Sequence, residues 1–432
     1  MNLYIKPGVL NGCVKIPSSK SFAHRSIMCA AFSENECIID NVSISDDIKA
    51  TIEAVKSLGA EVDIFDHYIK IKGLFLNKIK DNLSKDKLNI IDCNESGSTL
   101  RFMIPAASVV NKRNCFIMRG NLGKRPLDVY FDVFEKSNIK YKYEKNEYGE
   151  DTLVTDGFIK PGEYTIPGNI SSQFITGLLF TLPLLDGDSI LNVTGTIESK
   201  SYISITLEVL KDFGIEIENI DFKKFIIKGN QRYSKDRYSV EGDFSQGAFF
   251  LCAGAIGNSI SVEGLKEESI QGDRIVIDIL KNMGASINID REGINMYTNS
   301  ELKSTIIDAS DCPDIIPILS VCASVANGKT EIINAGRLRI KECDRLHAVC
   351  SELSKLGADI TEKENSIIIT GVNSLKGGCE VWSHKDHRIC MMLAIAATLC
   401  EEKIYIRDVE CISKSYPNFF DDFKKLGGII YE

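Results

Sequence analysis

Lys56-Ser57-Leu58-Gly59, Lys211-Asp212-Phe213-Gly214, Lys281-Asn282-Met283-Gly284, Ser354-Lys355-Leu356-Gly357 and Lys424-Lys425-Leu426-Gly427 repeat one piece of punctuation, and Lys136-Ser137-Asn138 is a sixth copy. Each closes a stretch with helix-like spacing and precedes a short strand-like run. Gly or Asn suits the end of a helix because the residue there enters the left-handed region at little steric cost. The six turn residues follow one another at intervals of 79, 76, 70, 73 and 70 positions. A unit used six times constrains architecture more tightly than any single motif.

Working outward from the turns, helices are expected over 46–58, 125–136, 202–213, 273–283, 344–356 and 417–426. Most carry apolar residues at helical spacing, as do Ile48, Ile52, Val55 and Leu58. Glu61-Val62-Asp63-Ile64, Ile215-Glu216-Ile217-Glu218 and the β-branched run Ile367-Ile368-Ile369 read as strands. A second helix in each unit follows a loop rich in Ser, Gly or Asp. The class is therefore α+β, with helices packed on small sheets.

A chain of 432 residues is long enough for two cores. Two domains of three units are expected, one over 16–232 and one discontinuous over 1–15 and 233–432. The first strand, Leu3-Tyr4-Ile5, has no unit of its own, and 229–237 is a polar seam. The apolar runs 174–185 and 389–400 are too short to span a bilayer, and the first sixteen residues lack the pattern of a signal peptide. The 14 cysteines show no Cys-x-x-Cys pair, which predicts reduced, mostly buried thiols in a cytoplasmic protein. A net charge of −9 argues against general nucleic-acid binding, while leaving room for a local basic cleft and an anionic small substrate. With no heptad or exposed apolar strip evident, a monomer is expected.

Three loop-to-helix junctions lie in the first half. Lys20 and Ser21 stand at one, followed by Arg25, where a cation opposes the helix dipole but backbone N–H groups, hydroxyls and basic side chains suit a phosphate. The second is Asn94-Glu95-Ser96-Gly97-Ser98-Thr99-Leu100-Arg101, where Gly97 leaves room for a ligand and no Walker A ending follows. The third is Gly168-Asn169-Ile170-Ser171-Ser172-Gln173. One such junction is ordinary capping; three suggest a shared polar site. Lys124-Arg125-Pro126 opens a helix in this reading. Arg337, Arg339 and Lys341 would share a face of an extended segment, and Lys341, Glu342, Asp344 and Arg345 at a helix start offer acid–base partners. His384 with Asp386-His387-Arg388 lacks a matching acidic or thiol cluster, so a metal site is not supported there.

Taken in order, these strings resemble the enolpyruvyl transferase family. The resemblance runs from Pro17 to Pro417 and rests on Lys20-Ser21-x-x-x-Arg25, Gly97 with Arg101, Arg125-Pro126, Ser171-Ser172-Gln173, Ser199-x-x-Tyr202, Glu241-Gly242-Asp243, Gln271-Gly272-Asp273, Pro313-Asp314, Lys341-Glu342-x-Asp344-Arg345, Asp386-His387-Arg388 and Lys414. It implies two similar domains, each of three βαβαββ units in an inside-out, barrel-like arrangement, joined by two chain crossings. It implies transfer of the enolpyruvyl group of phosphoenolpyruvate to the 5-hydroxyl of shikimate 3-phosphate with release of phosphate, without metal or organic cofactor, nucleic acid or membrane.

By the same resemblance, Lys20, Ser21, Arg25, Ser171, Ser172, Gln173, Ser199, Tyr202, Asp314 and Lys341 would hold shikimate 3-phosphate. Lys20, Gly97, Arg125, Gln173, Arg345, Arg388 and Lys414 would hold phosphoenolpyruvate. Asp314, Glu342 and Lys20 would move protons. Many relatives have Asn-Ala-Gly-Thr-Ala-Met-Arg where this chain has Glu95 to Arg101, and retention of Gly97 implies inhibition by glyphosate. A related branch that uses a sugar-nucleotide acceptor usually carries a Cys shortly before Arg-Pro, and Gly120-Asn121-Leu122-Gly123-Lys124-Arg125-Pro126 has none. An RNA 3'-phosphate cyclase would need a nucleotide-linked His and a more basic surface, and a binding-only scaffold would release no phosphate.

Overall fold

All six turn residues enter positive φ: Gly59 at 111°, Asn138 at 56°, Gly214 at 81°, Gly284 at 92°, Gly357 at 96° and Gly427 at 101°. This is a computed structural model, which describes residues 1–74, 87–197, 199–290, 293–297 and 301–431. Among the described residues there are twelve α-helices: α1 (Lys20–Ala31), α2 (Asp46–Leu58), α3 (Gly97–Val110), α4 (Phe131–Ser137), α5 (Ser172–Thr181), α6 (Lys200–Asp212), α7 (Phe244–Ala255), α8 (Val276–Asn282), α9 (Ile316–Ser324), α10 (Arg345–Lys355), α11 (His387–Ala396) and α12 (Phe419–Lys425).

They accompany six four-stranded sheets built to one plan. In the sheet of Asn89–Asp92, Arg113–Met118, Asp151–Asp156 and Lys140–Lys145, the first pair is parallel and the other two pairs are antiparallel. The parallel pair needs a crossover, which α3 supplies, and the chain order through this unit is βαβαββ. The fold is α+β, and the sheets fall three to each of two compact units: Lys20–Val240, and Met1–Ser19 with Glu241–Glu432.

The connections between units follow one rule. Asn11–Lys15 pairs parallel with Ser259–Glu263 but leads into α1, and Arg237–Ser239 pairs parallel with Glu36–Asp40 but leads into α7. Both crossings therefore fall between the first strand and the first helix of a repeat. The expected seams at 15/16 and 232/233 lie four and eight residues too early, because Arg237–Ser239 completes a sheet of the unit that ends at Val240. Asn2–Lys6 pairs with Ile404–Arg407 and Ile429–Tyr431, filling the place of a third strand at the C-terminal end.

Each unit has its own core. The first helix of each repeat is buried on nearly all sides, as α5 is from Phe174 to Thr181 and α11 throughout, which accounts for the continuous apolar runs in sequence. The second helices α2, α6 and α10 bury one stripe only. Gly177 lets α5 pack closely on α3: a methyl group there would fall 2.5 Å from both the Arg101 carbonyl and the Tyr130 hydroxyl.

Several helix starts differ from the sequence expectation. Arg125 is not on a helix; it sits in extended backbone after the 3-10 turn Leu122–Lys124, with Asp128–Tyr130 forming another turn before α4. Pro126 explains the break, since it restricts the residue before it to extended conformations. The expected helix at 273 begins as the 3-10 turn Gly272–Ile275, and α12 starts at Phe419 rather than 417.

Among these turn residues Gly284 isolates the backbone requirement, because nothing lies within 4 Å of the position a Cβ would take. Gly284→Ala is expected to lower the unfolding free energy by about 1–2 kcal/mol, the cost of a left-handed L-residue. Urea unfolding checks this, and a change within about 0.3 kcal/mol would show that this turn does not need its glycine.

Candidate active site

The candidate residues divide between the two units. In the unit Lys20–Val240 they cluster at the starts of α1, α3, α5 and α6. Lys20 begins α1 and its Nζ lies 2.8 Å from Asp47 Oδ2, on the first turn of α2. His24 Nδ1 lies 2.7 Å from Thr51 Oγ1, Thr51 and Thr99 hydroxyls are 2.7 Å apart, and Thr99 donates to Ser96 Oγ at 2.7 Å. This chain of short side chains ties α1 and α2 to the cap of α3. Burial pushes the pKa of His24 down to about 3, with Asp47 acting in the other direction, so the ring works here as a neutral hydrogen-bonding group.

The starts of α3 and α5 are joined through Gln173. Its Nε2 donates to Ser98 Oγ at 2.8 Å and its Oε1 accepts from Arg101 at 2.6 Å. Ser171 caps α5, accepting from the Gln173 N–H, and Ser172 is buried in the first turn. Gly97 opens α3, where a methyl group would fall 2.7 Å from an Arg125 guanidinium nitrogen and 3.7 Å from Gln173 Oε1. The glycine therefore makes space for Arg125, a basic residue brought from the extended segment before α4.

Arg25 is buried on α1. It donates to Thr206 Oγ1 at 2.8 Å, to the Ser21 carbonyl at 2.8 Å and to the Tyr202 carbonyl at 3.0 Å. All three acceptors are neutral, and burial pulls its pKa down to about 10. Ser199 stands just before α6 in the left-handed region at φ 56°, and Tyr202 follows on the first turn. The three junctions noted in sequence are thus linked into one polar group, with α6 as a fourth member.

In the other unit the arrangement is ionic. Arg345, 1% exposed, begins α10 and donates to Asp386 Oδ2 at 3.0 Å, to Asp314 Oδ1 at 2.9 Å and to Glu342 Oε2 at 2.6 Å. Asp314 also meets Lys341 Nζ at 3.2 Å and an Arg388 nitrogen at 3.7 Å. Burial acts to raise the Asp314 pKa, but Lys341, Arg388 and Arg345 together hold it well below the ordinary carboxylate range. For Arg345, burial opposes the charge and Asp386, Glu342 and Asp314 more than offset it, so the guanidinium stays charged. Burial lowers the pKa of Lys341, with Asp314 opposing.

Arg388 lies on the first turn of α11, behind its cap Asp386, and donates to the Ser245 carbonyl at 2.7 Å. Lys414 ends the 3-10 segment Val409–Lys414 and is buried. The expected shared face of Arg337, Arg339 and Lys341 is not formed, because Gly336–Ile340 is a 3-10 turn rather than an extended strand. Arg339 instead pairs with Asp344 at 2.9 Å and Glu362 at 2.8 Å, while Lys341 pairs with Asp314.

This constellation can be set beside known proteins. The sequence profile described as EPSP synthase (3-phosphoshikimate 1-carboxyvinyltransferase) matches residues 5–423. The chain belongs to the EPSP synthase family. Relatives named 3-phosphoshikimate 1-carboxyvinyltransferase from Clostridium beijerinckii and Clostridioides difficile are each 56% identical, each match covering all of this chain and 98% of the relative. A solved structure of EPSP synthase from Acinetobacter baumannii has a TM-score of 0.82 at 24% identity, covering both chains completely, and so shows the same fold.

Within this EPSP synthase fold, four residues take part that sequence reasoning gave no role. Asp47 neutralises Lys20, Arg101 orients Gln173, Asp386 anchors Arg345, and Asp273 lies buried beside Ser245. Arg101, Asp273 and Asp386 belong to motifs that the sequence shows, but a motif does not name the partner of a side chain. Asp47 had no signal beyond being an acid in a helix's first turn.

Asp273 carries a testable consequence. Burial, aided by nearby Asp314 and Asp243 and opposed by Ser245 and Arg388, raises its pKa to about 7. Between about pH 4, where an unfolded aspartate gives up its proton, and the folded value near 7, the folded chain binds the extra proton. Stability therefore falls as pH rises through that window. Asp273→Asn, which stays neutral, is expected to gain stability over the parent at about pH 8 and to match it near pH 4. Urea midpoints at the two pH values read this, and an equal difference at both would refute it.

Proposed function

We propose that this chain transfers the enolpyruvyl group of phosphoenolpyruvate to the 5-hydroxyl of shikimate 3-phosphate and releases phosphate, a step of aromatic amino-acid biosynthesis. The observation that carries the reading is Asp314 held ionised among Lys341, Arg345 and Arg388, in a chain of the EPSP synthase family. Lys20, Ser21, Arg25, Ser171, Ser172, Gln173, Ser199, Tyr202, Asp314 and Lys341 are assigned to shikimate 3-phosphate. Lys20, Gly97, Arg125, Gln173, Arg345, Arg388 and Lys414 are assigned to phosphoenolpyruvate.

Both substrates carry a phosphate and a carboxylate, and their repulsion at short range must be offset by cations. Arg25 suits an anion because its protein acceptors are neutral, and the starts of α5 and α6 add backbone N–H groups. In the addition step the 5-oxygen forms a bond to C2 of phosphoenolpyruvate, the hydroxyl proton leaves to a base, and the methylene carbon takes a proton to become methyl. Elimination then breaks the C2–O bond to phosphate and removes a methyl proton, restoring the double bond in the product.

Asp314 is assigned the hydroxyl proton, since its cations keep it a carboxylate ready to accept. Its basicity rises when substrate anions draw Lys341 and Arg388 towards themselves, because the charges that depress its pKa are then shared. Glu342 and Lys20 are the groups assigned to the carbon proton. Lys20, Arg125 and Lys414 are the cations assigned to charge on the departing phosphate.

The test is phosphate release from phosphoenolpyruvate with shikimate 3-phosphate, the carbon product followed by NMR and UDP-N-acetylglucosamine offered as the competing acceptor. Release is expected with shikimate 3-phosphate alone, Lys20→Ala is expected to lower turnover by about 100-fold or more, and Cys115→Ala to leave it near the parent. Release only with the sugar nucleotide overturns the acceptor; release with neither overturns the enzymatic reading.

A further inference from the structure

Helix α10 carries two buried charged residues on one face, Arg345 and, seven positions later, Glu352. Both hold the same downstream segment. Arg345 binds Asp386, and Glu352 accepts from the Trp382 backbone N–H at 2.9 Å and from His384 Nε2 at 2.8 Å. Lys355 Nζ supplies further hydrogen bonds at 2.9 Å to each Glu352 oxygen. Burial acts to raise the Glu352 pKa, and these donors more than offset it, keeping the group an acceptor.

The segment so held is strained. His384 and Lys385 are consecutive non-glycine residues in the left-handed region, at φ 53° and 56°. Such a pair persists only where its surroundings fix it. Ser383 continues the fixation: its hydroxyl accepts from the Lys385 N–H at 3.1 Å, and its carbonyl accepts from the Asp386 N–H at 2.9 Å. Asp386 then caps α11, accepting from the Arg388 N–H at 2.8 Å.

The same segment reaches a second basic residue. Trp382 Nε1 donates to Asp408 Oδ2 at 2.8 Å, and Ser383 Oγ donates to the Asp408 carbonyl at 2.9 Å. Asp408, itself left-handed at φ 57°, starts the 3-10 segment Val409–Lys414 that ends in Lys414. Glu352 thus stands behind the segments that present both Arg388 and Lys414.

We propose that Glu352 is a positioning residue for phosphoenolpyruvate, holding the Trp382–Arg388 turn and, through Trp382 and Asp408, the segment that presents Lys414. The inference rests on the assignment of Arg388 and Lys414 to that substrate. Glu352 touches no reacting group; it acts through the backbone that carries the cations.

Trp382 is the one tryptophan of the sequence and packs against His384 with ring centroids 4.2 Å apart, so intrinsic fluorescence reports on this turn directly. Steady-state kinetics with each substrate varied are measured on the full chain, on Glu352→Ala and on Glu352→Gln, together with Trp382 emission and thermal unfolding. Glu352→Ala is expected to raise KM for phosphoenolpyruvate by about 10-fold or more, to raise KM for shikimate 3-phosphate at least five times less, and to shift the emission. Glu352→Gln, which keeps an acceptor for the Trp382 N–H, is expected to lie between, and carries the test alone if the alanine variant does not fold.

A lowered unfolding temperature with both KM values unchanged, or raised equally, overturns the inference and leaves Glu352 a structural residue. A parent chain with no phosphoenolpyruvate turnover overturns the substrate assignment and this inference with it, whereas an active parent with a variant of unchanged KM overturns this inference alone.

Discussion

The guanidinium of Arg345 is the charge on which its unit depends. Asp314, Glu342 and Asp386 converge on it, and Lys341 and Arg388 complete a group of three cations and three carboxylates. A buried charge without a partner is costly, and removing one member of such a pair destabilises by roughly 3–5 kcal/mol. The cluster therefore serves a structural purpose, joining the start of α10, the turn before α9 and the cap of α11. It also sets the chemistry, because the cations that satisfy Asp314 are the cations assigned to incoming anions. Ligand binding at this cluster is expected to be an exchange of partners, its cations being compensated by carboxylates beforehand.

The unit Lys20–Val240 solves the anion problem differently. Lys20 has Asp47, but Arg25 rests on neutral oxygens and Arg101 on an amide. The hydroxyls of Ser96, Thr51 and Thr99 with neutral His24 fix the helices relative to one another without adding charge. Capping side chains and helix starts are then available for a phosphate, whose charge the helix dipoles favour. An ionic cluster in one unit thus contrasts with a hydroxyl-and-amide network in the other.

What the sequence made legible was local. The turn at Gly214 or Gly427 needs a left-handed residue, and that need is written in one position, so the sixfold repeat could be read without tertiary information. The starts of α3 and α5 were equally visible because capping is a matter of three or four neighbouring residues. The pairings were not. Arg345 with Asp386 and Lys20 with Asp47 depend on which helix packs beside which, and nothing in either string names its partner. The two differences at Arg125 and at Arg337 to Lys341 have separate causes: Pro126 keeps Arg125 extended between two 3-10 turns, and Gly336–Ile340 is itself a 3-10 turn, so Arg337 to Lys341 form no strand. The roles assigned to the candidate residues came from a family resemblance, not from spacing.

Asp314 is held as a carboxylate by cations that substrate anions are expected to draw away. The direct measurement is an NMR titration of aspartate carboxyl carbons, with Asp314 assigned by its loss in Asp314→Asn, over about pH 3 to 8, with and without phosphoenolpyruvate. The Asp314 signal in the free protein is expected to stay that of a carboxylate through this range, and phosphoenolpyruvate is expected to move its midpoint upward. A midpoint in the ordinary aspartate range without ligand, or one that phosphoenolpyruvate leaves in place, would contradict it.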